Sequence, residues 1–180
     1  MRRLTALQVD ALKEISNIGA GHAATALSRL LDHTIQLEPP KAELLDFTDL
    51  RSRVGEETVF AVLHVYVRGD VPGRLFVMLD YRDSLQFAGD AKLRMAAAIV
   101  ASSYIDALRE LTRTKMTAST PSYSYGSLRE IFEGVSSASP ESQVFFIESA
   151  LLDRGERIYG HVVFVPDRES LGPLFGAFGV

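Results

Sequence analysis

The sequence predicts an α+β fold: a pseudo-twofold duplicated domain with an antiparallel sheet of about six strands and two long helices packed on one face. Three observations carry this expectation. Two long helical patterns are each followed by a pair of strand-like runs. The halves align under a shift of 81 residues, and apolar residues make up 47% of the 180, enough for a sizeable core.

The first element is expected over residues 5–31. Thr5 followed by Gln8 has the spacing of a capping box, and Leu7, Ala11, Ile15 and Ile18 recur at three- and four-residue intervals. Gly19 and Gly21 weaken this helix by about 1 kcal/mol each unless a neighbouring element packs closely there. Pro39 and Pro40 close the region. Residues 58–67 and 73–79, rich in Val, Phe, Leu and Tyr and joined by Gly69, Asp70 and Pro72, predict a β-hairpin. A short amphipathic segment follows at 83–87, then a second long helix over 91–112.

The second half repeats the plan. A Ser/Thr/Tyr-rich stretch at 117–127 reads as a surface connection, with Tyr123 and Tyr125 as candidate partner contacts. A short helix is expected near 128–132, strands at 144–152 and 158–165 separated by residues 153–156, and a last short helix over 169–175. The shift of 81 sets Leu12 on Leu93, Ile18 on Ile99, Ala20 on Ala101, Leu27 on Leu108 and Pro40 on Pro121, while the hairpins need a slightly larger one. The expected organisation is one domain over 1–180 with internal repeats of about 5–88 and 89–176.

Composition narrows the function. The 19 basic and 23 acidic residues give a net charge of −4 with no basic run, which argues against nucleic acid or an anionic membrane as partner. Without cysteine there are no disulfides, thiolate metal sites or cysteine nucleophiles. Asp10, Lys13 and Glu14 interrupt any export-signal pattern after the basic N-terminus, so a cytoplasmic location is expected. The four histidines lack ligand-like spacing, and no resident metal is expected. His64 and His161, inside strands, are expected to be hydrogen-bonded and structural, and His22 to cap or pack. Gly19, Gly21 and Ala24 match the loose dinucleotide pattern, but no strand precedes them.

One constellation stands out. Asp10, Glu14 and Asn17, at i, i+4 and i+7, fall within a stripe of roughly 60° on a helix turning about 100° per residue. A polar stripe is ordinarily a solvated face. Under the shift of 81, however, Ala91, Met95 and Ala98 occupy the matching positions in the second helix. One copy carries acid and amide groups where the other is apolar, the pattern of a duplicated site lost from one half.

These residues resemble the signature of the CheC/CheX/FliY phosphatases: Asp or Ser, a Glu four on, an Asn three further, and a Pro 23 beyond the Asn, here Asp10, Glu14, Asn17 and Pro40. The run from Ile18 through Gly19, Ala20, Gly21 and His22 to Ser28 is also similar to CheC. The resemblance implies a phosphatase acting on the aspartyl phosphate of a CheY-like response regulator. Glu14 and Asn17 would be catalytic, Asn17 orienting a water and Glu14 pairing with the receiver's lysine, with Asp10 auxiliary or in docking. Proteins of the CheC type often carry the motif twice, so Met95 and Ala98 mark a degenerate second site and a single active face. A flagellar FliY would need a further C-terminal module, and the motif position fits a CheX-type dimer less well. No cofactor of its own is implied; Mg²⁺ is expected in the phosphorylated receiver. CheD, a receptor-modifying deamidase, is the second partner implied, and a non-catalytic adaptor binding CheD or a receiver is the alternative. The internal twofold removes one common reason for dimerising and points to a monomer.

Overall fold

Thr5 starts the first helix as the sequence leads one to expect. In the computed structural model its side chain accepts from the Gln8 amide at 3.2 Å, and its own amide donates to Gln8 Oε1 at 3.0 Å. The structure describes residues 5–80, 89–138, 144–153, 156–167 and 169–177. The segment expected at 83–87 and the turn residues 154–155 lie outside these.

Helix α1 spans Ala6–Leu31 and ends at Asp32, which adopts the left-handed conformation. Ser28 Oγ accepts from the Ile35 amide at 2.8 Å and fixes the chain's exit. Strands β1 (Gln36–Leu37) and β2 (Lys41–Leu45) follow, interrupted at Pro39 and Pro40, then helix α2 (Phe47–Val54). The hairpin β3 (Val59–Gly69) and β4 (Gly73–Asp80) completes the first half. The second half is α3 (Gly89–Thr112), β5 (Met116–Ala118), β6 (Ser122–Ser127), α4 (Leu128–Ala138), β7 (Val144–Asp153), β8 (Glu156–Pro166) and α5 (Leu171–Ala177).

All described strand pairs are antiparallel, and the order across the sheet is β1-β7-β8-β4-β3-β5, with β2 also on β7 and β6 also on β3. Eight strands thus fill six positions, because each outer position is shared by two short strands. Prolines interrupt both: Pro40 between β1 and β2, Pro121 between β5 and β6. A residue without an N–H cannot donate to a ladder, so an outer strand tolerates it where a central one would not. The stretch 117–127 is therefore largely edge strand rather than connection. Its serines and exposed tyrosines suit a position with solvent beside it.

Alternation along the strands builds two cores. One face carries Leu63, Val65, Leu75, Val77, Phe145, Ile147, Val162 and Phe164, covered by α1, α3 and α5. The opposite face carries Phe60, Val62, Phe76, Met78, Phe146 and Val163. It is covered by Phe47 and Leu50 of α2 and Leu128 and Phe132 of α4. Phe132 meets Phe76 at 4.7 Å and Phe47 at 5.6 Å between ring centroids. The two long helices share one face as expected, but the sheet has helices on both.

His64 and His161 project into this second core. The hydrogen-bonded role expected of them is not met at His64 Nε2 or His161 Nδ1, which are buried without a hydrogen-bond partner among the described residues. Both rings instead stack on phenylalanines, His64 on Phe76 at 4.6 Å and His161 on Phe146 at 5.3 Å. Burial pushes both imidazoles below the usual histidine range. Arg74 adds to this at His64; at His161, Glu148 and Asp80 oppose it.

Candidate active site

Burial along α1 fixes which way its polar stripe points. Leu12, Ile15, Ser16, Gly19, Ala20, Ala23 and Leu27 are buried, and Asp10, Glu14 and Asn17 are exposed. On a wheel of about 100° per residue the buried set centres roughly opposite Asp10. The three polar side chains therefore leave the domain side by side. Asp10 meets Lys13 at 3.8 Å with both ends well exposed, a contact that leaves its carboxylate accessible.

The same comparison corrects two expectations. Leu7, assigned from its spacing to the apolar face, is 65% exposed and lies at the N-terminal end of the polar stripe. Gly21, expected to permit close packing, has none of the described residues within 4 Å of the Cβ an alanine would carry. Gly19 does sit in a seam: its added Cβ would lie 2.6 Å from Tyr104 Cδ1 of α3. His22 is exposed rather than packed, and the sequence Gly19 to Ala24 lies mid-helix, where no phosphate-binding turn exists.

Helix α3 is the structural twin. Shifted by 81, six of the seven buried positions of α1 are buried again, as Leu93, Ala96, Ala97, Ala101, Tyr104 and Leu108. The outward stripe is accordingly Ala91, Met95 and Ala98, with Met95 51% exposed. Ala91 and Met95 are therefore apolar without being buried, whereas Ala98 is partly buried against the core. The next position on each stripe is Gly21 on α1 and the exposed Ser102 on α3, a difference that sequence comparison could have revealed.

Pro40 is not part of the stripe: it separates β1 from β2 on the sheet edge, and its contribution is architectural. Tyr123 and Tyr125 lie on β6, away from α1; Arg94 covers the Tyr123 ring at 5.2 Å. Among the described residues no cluster of His, Cys, Asp or Glu is arranged to hold a metal ion. Among them, too, no helix is long and apolar enough to cross a membrane.

The family model described as the CheC-like family matches residues 7–44, from the exposed Leu7 through the whole stripe to β2. The chain is similar to the CheC-like family over that stretch. It is 29% identical to the "CheY-P phosphatase CheC" of Bacillus subtilis, across 96% of this chain and 94% of that protein. The fold of this chain is that of Thermotoga maritima FliY, with a TM-score of 0.78 at 19% identity over 99% of this chain and 98% of that one. It is shared with the FliM middle domain of H. pylori, with a TM-score of 0.69 at 9% identity over 97% and 99%. At these identities the two structures speak for the fold, and the sequence similarity is to a protein named as a CheY-P phosphatase.

Proposed function

We propose that this chain hydrolyses the aspartyl phosphate of a CheY-like receiver at the outward stripe of α1. The observation that carries the reading is the exposed pair Glu14 and Asn17, one turn apart on a helix, set against the exposed, apolar Ala91 and Met95 on the twin. The similarity to a CheY-P phosphatase supplies the substrate class.

An acyl phosphate is already activated, and Mg²⁺ belongs to the receiver as part of the substrate. A partner contributes chiefly position, by holding a water in line with phosphorus. The Asn17 amide suits this role, because its carbonyl oxygen accepts a hydrogen bond from the water and its NH₂ can donate to a phosphoryl oxygen. The water oxygen bonds to phosphorus, the bond to the aspartyl oxygen breaks, and the carboxylate leaves. The water's protons end on inorganic phosphate and solvent. Glu14, about 4.5 Å along the axis from Asn17, pairs with the receiver's lysine and sets the docking register, with Asp10 a further turn away.

The test is decay of a ³²P-labelled receiver with Mg²⁺ and substoichiometric protein. Acceleration that falls by a factor of about 100 or more in Asn17→Ala, with receiver binding kept, supports the reading; removal of single positioning groups has effects on this order. Unchanged decay across the available receivers overturns it and favours an adaptor that binds a receiver or CheD without turnover.

A further inference from the structure

Gly21 occupies the middle of the outward stripe. On the helical wheel it falls between Glu14 and Asn17, about 6 Å beyond Asn17 along the axis. Nothing among the described residues explains its lack of a side chain: it is exposed, mid-helix, and a Cβ there would meet none of them within 4 Å. Glycine is among the poorest helix formers, so an alanine at this site would favour α1. The twin helix makes the point independently, since the half that lacks the acid and amide groups carries Ser102 at the matching exposed position.

Resting on the function proposed above, we infer that Gly21 is the point of closest approach between α1 and the docked receiver. Its bare backbone lets the receiver surface around the phosphoryl group reach van der Waals contact with the helix, which brings phosphorus within reach of the Asn17 water. Gly21 is thus a positioning residue: a side chain there would hold the receiver off the helix by the width of its own atoms. A misplacement of about 1 Å can lower a rate up to 100-fold.

The experiment measures steady-state dephosphorylation of a receiver charged with a small phosphodonor, for the wild-type protein, Gly21→Ala and Gly21→Leu, alongside their melting temperatures. Graded losses are expected, about three- to ten-fold in kcat/KM for alanine and more than ten-fold for leucine. The KM should rise in both, and both should melt at or above the wild-type temperature. If the wild-type accelerates decay but both variants match it within two-fold, this inference alone falls. If activity is lost only together with a lower melting temperature, the glycine is structural and the inference is overturned. If the wild-type itself fails to accelerate decay, the functional reading falls and takes the inference with it.

Discussion

Replacing Gly19 by alanine should destabilise the protein, although alanine is the better helix former. The added Cβ would lie 2.6 Å from Tyr104 Cδ1 and 2.9 Å from both Cε1 and Cγ, where ordinary contact begins at 3.4 Å. The ring must therefore retreat by about 0.8 Å, or the α1–α3 seam must open by as much. Tyr104 is 3% exposed and flanked by Leu12, Ile15 and Leu108, so the shift propagates into the core. Overpacking of this kind costs about 1–3 kcal/mol, and the helix-propensity gain offsets about 1 kcal/mol. Because three ring atoms are met at once, the upper half of the range applies and the net loss is about 1–2 kcal/mol. For a chain of this size that lowers the Tm by about 2–8 °C. Thermal and urea unfolding of Gly19→Ala, Tyr104→Leu and the double variant would measure it. Removing the ring should relieve the clash, giving a coupling of at least about 1 kcal/mol. A Gly19→Ala protein as stable as the wild type, or additive behaviour in the double variant, would refute the packing argument.

The second core makes two further predictions. Phe132→Ala should cost about 3–5 kcal/mol by urea denaturation, because its ring is fully buried between α2, α4 and the sheet; a loss under about 1 kcal/mol would mean that this layer is not packed as described. His161 titrates below the usual range in the folded chain because it is buried, so between that lowered value and about 6.5 the unfolded chain binds more protons. Stability conferred by the neutral ring is therefore present above about pH 6.5 and is lost as pH falls below it. The wild-type urea midpoint should drop between pH 7 and 5.5 more steeply than that of His161→Phe, and equal slopes would sink the assignment.

Strong patterns were legible in the sequence, and marginal elements were not. The Thr5 cap, α1, α3 and both hairpins rest on long periodic or continuously apolar runs, which local physics encodes redundantly. Helix α2 has eight residues, most of them charged or polar, and only Phe47 and Leu50 betray its buried side. Strands β1, β2, β5 and β6 are short and take their conformation from partners distant in sequence, a context that no window of residues contains. The candidate site was legible for a different reason. An exposed helical face carries no packing signal, and Asp10, Glu14 and Asn17 stood apart from ordinary solvated residues through the comparison between two halves and the resemblance to a family signature. That comparison needed the outward direction of both stripes, which spacing alone got wrong at Leu7.

The exchange of outer strands has a consequence for how such a protein diverges. Strands β1 and β2 of the first half complete the hairpin of the second, and β5 and β6 of the second complete that of the first. A half-length unit could close its sheet only by trading these strands with another copy of itself, as an intertwined homodimer. In such a dimer every substitution appears twice, so losing one site means losing both. Joining the halves in one chain removes that constraint. The shared sheet still locks the scaffold, while the outward residues of each helix can differ, as Glu14 and Met95 do.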